Sequence, residues 1–285
     1  MLLPSPLPPA MRQRLAAGRR VALPMATGGH IVWHTWGQGA PGQPPLVLLH
    51  GGSGSWTHWV RNILPLADAG RAVWAVDLPG FGDSGPPPGH DADAIVPPLA
   101  DSLRALFDGQ PVDMVGFSFG GMTAGLLLAA HPALARCLVL VGAPGLGVAP
   151  AQPITLKGWR HLPAHAQATV HRHNLATLML HDPTRIDALA LALHAANAQR
   201  DRLPRRRLSR TDILARSLSA VPCPVHAIYG AHDVLYAQNL AQLPAVLAAS
   251  APGFAGLRLI ENAGHWVPYE APEAFNAALL QALGA

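Results

Sequence analysis

Val112-Asp113-Met114-Val115-Gly116-Phe117-Ser118-Phe119-Gly120-Gly121 is the stretch on which the reading of this 285-residue chain turns. Its first six residues, VDMVGF, are an apolar run of strand length. Those from Phe119 to Ala130 continue as an apolar helical run, so Ser118 stands at the turn between strand and helix. A serine on so sharp a turn takes a strained backbone conformation, and the glycines two before and two after it leave room for neighbouring atoms. The hydroxyl then projects alone above the sheet edge. The helix behind it aims backbone N–H groups and a positive dipole end at the same spot, where a negative oxygen could be held. Ser118 is the candidate nucleophile.

A serine hydroxyl attacks well only when a base takes its proton, and a histidine base needs an acid to fix its tautomer. Among fifteen histidines, His265 lies in Glu261-Asn262-Ala263-Gly264-His265-Trp266, between the last strand run and the last helical run. Asp233, in Tyr229-Gly230-Ala231-His232-Asp233, follows the preceding strand run in the same way. Both fall in loops expected at the carboxyl edge of the sheet, and the order Ser, Asp, His fits a hydrolase arrangement. The plainer roles for this pair are a helix cap for Asp233 and a loop histidine bonded to backbone for His265. The remaining histidines, including the cap set His161, His165, His171, His173, His181 and His194, lack such a strand-end position and have no compact ligand motif, so no metal is expected.

Chemistry at an acyl carbon also requires donors for the developing oxyanion. His50-Gly51-Gly52-Ser53-Gly54-Ser55-Trp56 directly follows the strand run Leu46 to Leu49. One donor is assigned to the amide of Gly52, with Gly51 and Ser53 as near alternatives, and the other to Phe119, the residue after the nucleophile. The Lys-Ser/Thr ending of a phosphate-binding loop is absent, which argues against a nucleotide site.

Around these motifs, short apolar runs alternate with longer amphipathic ones, the pattern of strands joined through helices into a mostly parallel sheet, an α/β fold. An opening hairpin at Val21 to Ala26 and Ile31 to Trp36 precedes six further strands, Leu46 to Leu49, Ala72 to Val76, Val112 to Phe117, Cys137 to Val141, Val225 to Tyr229 and Leu257 to Ile260. Helices are expected over Trp59 to Ala67, Asp91 to Phe107, Phe119 to Ala130, Gln238 to Ala248 and Pro272 to Leu283. Between Gly142 and Pro222 only helical stretches occur, such as Leu175 to Leu180 and Ile186 to Ala198. That interval is too long for a loop, so residues 143–221 are read as an inserted helical cap over a core formed by 1–142 and 222–285.

Composition narrows the function class. Only 13% of residues are charged, against about 25% in an average domain, while half are hydrophobic, so the chain folds and is not disordered. The net charge of +4 is carried almost wholly by arginine and does not favour nucleic-acid binding. Seven arginines between Arg200 and Arg216 are read first as a solvated face and second as a patch that meets an acidic substrate group. Cys137 and Cys223 have no ligand or redox spacing and are expected to be buried thiols. No apolar run approaches the roughly 18 residues of a membrane span, and the prolines of MLLPSPLPPA interrupt any export-signal core, so a cytoplasmic location is expected.

Taken together, HGGSGSW, VDLPGFGDSG, GFSFGG, YGAHD and NAGHW resemble the α/β-hydrolase family in order and spacing over nearly the whole chain. The resemblance implies a mostly parallel eight-stranded sheet flanked by helices, a helical cap after the sixth strand, and a Ser118, Asp233, His265 triad. Asp77 matches a position that is mainly structural in that family. Serine at the elbow argues against the dehalogenase and epoxide hydrolase branches, which carry aspartate there. His265-Trp266 and the cap string from Asn174 to Pro183 look like those of carbon–carbon bond hydrolases that act on meta-cleavage products, whose substrate-binding cap arginine corresponds to Arg200. Phe117, where those enzymes usually carry asparagine, reads more like general esterases.

The sequence thus implies an enzyme without cofactor that acts on a small or medium carboxylic ester or related acyl substrate. Cleavage of 2-hydroxy-6-oxo-dienoates is the runner-up, and a non-catalytic small-molecule-binding protein of the same fold is the alternative of another class. Gly51, Ser53, Trp56, Phe117, Arg200 and Trp266 are expected to contact substrate. The oligomeric state is left open, with a homodimer as one reading.

Overall fold

The central strand runs bury side chains on two faces, and alternation along each run sorts them. Val47, Leu49, Met114, Leu138 and Leu140 join one buried cluster, while Leu46, Leu48, Val115, Val139 and Val141 join another on the opposite face. The computed structural model describes residues 6–26, 28–148, 153–203 and 205–284. Residues 1–5, part of the opening stretch read for an export signal, lie outside the described residues.

The strands are β1 (Arg19–Pro24), β2 (His30–Trp36), β3 (Leu46–Leu49), β4 (Val73–Asp77), β5 (Val112–Phe117), β6 (Ala135–Val141), β7 (Val225–Gly230) and β8 (Phe254–Ile260). They form one eight-stranded sheet in the order β1-β2-β4-β3-β5-β6-β7-β8. β2 runs antiparallel to β1 and β4, and every other pairing is parallel. The expected mostly parallel α/β sheet is what forms. After β3 the chain steps to one side for β4 and then crosses back to the other for β5, which opens a crevice at the carboxyl ends of β3 and β5. Leu49 pairs with Gly116 across these strands, so the chain leaves β3 at His50 and β5 at Ser118, close to one another at the same edge.

The helices are α1 (Pro9–Ala16), α2 (Ile63–Asp68), α3 (Val96–Phe107), α4 (Phe119–Ala130), α5 (Ala164–Asn174), α6 (Ala188–Gln199), α7 (Ile213–Leu218), α8 (Leu243–Ser250), α9 (Val267–Glu270) and α10 (Pro272–Leu283). α3, α4, α7 and α8 cover one face through Leu99, Leu127, Leu214 and Leu247. α2 and α10 cover the other through Ile63 and Leu279. Between β6 and β7 the described residues are helical or irregular, without a strand. There α5 passes into a π-helical turn at Leu175–Met179, and α6 follows, capped by Asp187, whose carboxylate accepts the Ala190 amide at 2.7 Å.

Two differences from expectation have local causes. The helix expected over Trp59 to Ala67 is split into a 3₁₀ turn at Trp56–Trp59 and the short α2. Asn62 sits at the break, and its buried amide donates to the Pro268 carbonyl and to Asn276, both at 3.0 Å. α1 was not foreseen among the opening prolines, but Pro9 occupies the first helical turn, where a missing N–H costs nothing. Cys137 and Cys223 are buried free thiols, and burial pushes the Cys137 thiol up to about 12. No helix among the described residues is long and apolar enough to cross a membrane.

Candidate active site

The elbow geometry follows from close backbone approach. A Cβ on Gly116 would stand 2.5 Å from Gly121 Cα, and one on Gly120 would stand 2.5 Å from the carbonyl oxygens of Leu49 and His50. With those positions reduced to glycine, Ser118 takes φ 50° and ψ −120°, a left-handed conformation unusual for a non-glycine residue. Its amide donates to the Val141 carbonyl at 2.7 Å, which ties the turn to β6.

His265 Nε2 lies 2.8 Å from Ser118 Oγ, and His265 Nδ1 lies 2.9 Å from Asp233 Oδ2. A carboxylate oxygen accepts, so Nδ1 carries the proton and Nε2 is left to accept from the serine hydroxyl. Asp233 and the imidazole are almost wholly buried, and the other carboxylate oxygen of Asp233 accepts the Leu235 amide at 3.0 Å. The three residues named from separate loops therefore form one hydrogen-bonded chain. It can draw a proton off Ser118 and return it.

In the glycine loop, the Gly51 amide donates to His58 Nδ1 at 3.2 Å. The amides of Gly52 and Phe119 donate to no group among the described residues. Both residues line a cavity of about 820 Å³ together with Gly51, Ser53, Phe117, Ser118 and His265. Pro144, Ile154, Leu156, Leu178, Met179 and Leu235 give its wall an apolar character, and Arg206, Ser209, Arg210 and Thr211 supply a polar side. The first-turn N–H groups of α4 and the loop amide thus border the space in front of Ser118 Oγ.

Three expected contacts lie elsewhere. Trp56 is not part of the cavity wall: its amide is drawn to Asp77 Oδ1 at 2.8 Å, and its indole packs against His34 and Trp36. Trp266 is likewise outside the wall, stacked on Tyr269 with its indole N–H donating to the His58 carbonyl at 3.0 Å. Arg200 is occupied by an ion pair with Asp83. Asp77 accepts the Asp83 amide at 2.8 Å as well as that of Trp56, a structural part that ties two loops together. His34, Asp77 and Asp83 come close enough to hold a cation, but these amide bonds and Arg200 already engage both carboxylates.

The arginines that do reach the cavity are Arg206 and Arg210, and Arg206 is the one beside the glycine loop. The Arg206 guanidinium lies over the rings of Phe81 and Phe119, pairs with Asp201, and leaves Nε buried without a partner among the described residues. A Cβ placed on Gly52 would come 3.4 Å from that nitrogen. Arg206 and Arg210 also line a neighbouring open depression of about 480 Å³ with Leu203, Arg205 and Arg207. Sequence spacing gave no sign of which of the seven arginines turns inward. Glu270 was also not foreseen: its buried carboxylate accepts the amides of Gly264, His181 and Asp182.

The family model described as the alpha/beta hydrolase family matches residues 46–278. The chain belongs to that family. A pimeloyl-[acyl-carrier protein] methyl ester esterase of Chromobacterium violaceum is 31% identical over 86% of this chain and 91% of its own length. A 2-hydroxy-6-oxononadienedioate/2-hydroxy-6-oxononatrienedioate hydrolase of Cupriavidus pinatubonensis is 27% identical over 85% of this chain and 88% of its own. The crystal structure of a putative aryl esterase from Burkholderia cenocepacia superposes with a TM-score of 0.72 at 25% identity, covering 94% of this chain and 100% of that one.

Proposed function

We propose that this protein is a serine hydrolase of small or medium carboxylic esters or related acyl compounds. The observation that carries the reading is the unbroken chain from Asp233 through His265 to Ser118, at 2.9 and 2.8 Å. His265 Nε2 takes the hydroxyl proton as Ser118 Oγ adds to the substrate carbonyl carbon, and Asp233 holds the imidazolium that results. The carbonyl oxygen becomes an oxyanion, and the amides of Gly52 and Phe119 donate to it. As the tetrahedral adduct collapses, the bond to the leaving oxygen breaks, and His265 gives its proton to the departing alcohol. A water then gives its proton to His265 and attacks the acyl-serine by the reverse steps, which releases the acid.

A second reading is hydrolysis of a carbon–carbon bond in a 2-hydroxy-6-oxo-dienoate. It is favoured by Arg206 and Arg210 on the cavity wall, which could meet a substrate carboxylate, and by the relative named for such a reaction. Incubating the purified protein with p-nitrophenyl esters and with a meta-cleavage dienoate separates the two. Ester turnover per active site should exceed dienoate turnover. Strong dienoate turnover with negligible ester hydrolysis would reverse the order.

A further inference from the structure

Two buried histidines beneath the glycine loop take no part in the chain from Asp233 to Ser118. His50 Nδ1 lies 2.7 Å from the Gly51 carbonyl oxygen, and His50 Nε2 receives the Leu78 amide at 3.0 Å. A carbonyl oxygen only accepts and an amide N–H only donates, so the proton resides on Nδ1 and Nε2 is bare. Both nitrogens are used, and the ring is neutral. Burial lowers its affinity for a second proton to about 4, with Arg206 acting in the same direction and the Gly51 carbonyl and Asp201 against it. On the other side of Gly51, the amide is held by His58 Nδ1.

The Gly51 carbonyl and the Gly52 N–H belong to one planar peptide, and in a trans peptide they point in opposite directions. No cis peptide occurs among the described residues. A bond that holds the carbonyl on the His50 side therefore turns the Gly52 N–H away from His50. Gly52 itself lines the cavity that Ser118 faces. We infer that His50 is a positioning residue: its Nδ1–H bond to the Gly51 carbonyl fixes the plane of the Gly51–Gly52 peptide, so that the Gly52 amide is presented to the substrate oxyanion. The inference rests on the serine-hydrolase reading and on Gly52 as a donor in it.

The test compares His50→Asn with His50→Gln. Asparagine keeps a side-chain N–H near the Nδ1 position and can still donate to the Gly51 carbonyl. Glutamine reaches toward the Leu78 amide and leaves the Nδ1 position empty. With a p-nitrophenyl ester, His50→Gln should lower kcat by about 10²-fold, the loss typical of a misplaced oxyanion donor, with KM nearly unchanged. His50→Asn should recover at least about tenfold of that loss. A fluorophosphonate, whose phosphoryl oxygen uses the same donors, should label His50→Gln slowly but to completion.

Equal kcat in both variants, or a loss carried by KM, would overturn the inference. Should neither variant fold, ¹⁵N spectra of the wild-type imidazoles decide: an Nδ1–H neutral ring for His50 at pH 7 upholds it, and an Nε2–H or charged ring overturns it. Wild-type protein that a fluorophosphonate leaves unlabelled would instead remove the reading on which the inference rests.

Discussion

Glu270 accepts the backbone N–H of Gly264 at 2.7 Å, one residue before His265. The same carboxylate takes the amides of His181 at 3.0 Å and Asp182 at 2.7 Å, just after the π-helical turn that ends α5. Beside it, the Trp266 amide donates to the Met179 carbonyl at 2.7 Å. The loop that presents the imidazole is thus linked to the segment between β6 and β7, through the Glu270 carboxylate shared by Gly264, His181 and Asp182 and directly through Trp266. Displacing that segment displaces His265.

Replacing Glu270 by alanine leaves the buried Gly264 N–H without its acceptor, a loss of about 1–3 kcal/mol, and frees the part-buried N–H groups of His181 and Asp182. Glu270→Ala is expected to lower the melting temperature and to cut ester kcat by at least about tenfold, since a small displacement of a catalytic group is amplified in rate. Calorimetry and steady-state kinetics check this. A variant with wild-type kcat would uncouple the His265 loop from the segment between β6 and β7.

Arg206→Ala removes a guanidinium whose Nε is buried beside Gly52. For an ester bearing a free carboxylate the variant should raise KM about tenfold or more, the loss of one charged hydrogen bond, and should leave neutral esters nearly unaffected. Parallel kinetics on a neutral and an anionic ester of the same acyl length measure the difference. Equal changes on both would mean that Arg206 serves packing alone, over Phe81 and Phe119.

Gly120→Ala places a methyl 2.5 Å from the carbonyl oxygens of Leu49 and His50. The elbow and the glycine loop must then part. Destabilisation of about 1–3 kcal/mol by urea unfolding is expected, together with loss of most ester activity. Activity equal to wild type would contradict the close seating of α4 against β3.

Stability should fall as the pH drops from 6.5 toward 5. Burial lowers His34 and His50 to about 4 and His58 well below its usual value, so these rings stay neutral in the folded chain while the unfolded chain protonates them near pH 6.5. Their contribution is complete above pH 6.5 and is lost as pH falls toward 4, by about 1.4 kcal/mol per ring per pH unit. Asp77, pushed up to about 6 by burial, acts the other way: the folded chain takes its proton first as pH drops below 6. Three rings outweigh one carboxylate, so urea midpoints should drop between pH 6.5 and 5. A flat profile would contradict the burial of these histidines as neutral groups.

The strands were legible because short, continuous apolar runs alternate with longer amphipathic ones and are punctuated by glycine and proline. Val112–Phe117 and Leu46–Leu49 carry the boundaries expected of them. The elbow was legible because close backbone approach demands glycine at fixed offsets from Ser118. Side chains whose direction is set by distant partners were not. Trp56 follows a backbone amide drawn to Asp77, Arg200 is taken by Asp83, and the inward turn of Arg206 depends on Asp201 and two phenylalanine rings. His50 stood in plain view within HGG, but its tautomer is fixed by Leu78, on another loop.

The central claim is that Ser118 Oγ is an activated nucleophile driven by His265. Intact-mass analysis after fluorophosphonate treatment tests it most directly. One adduct, located on Ser118 and absent in Ser118→Ala and strongly slowed in His265→Ala, is the expected result. An unlabelled wild-type protein, or a Ser118→Ala variant that still hydrolyses esters at the wild-type rate, would contradict it.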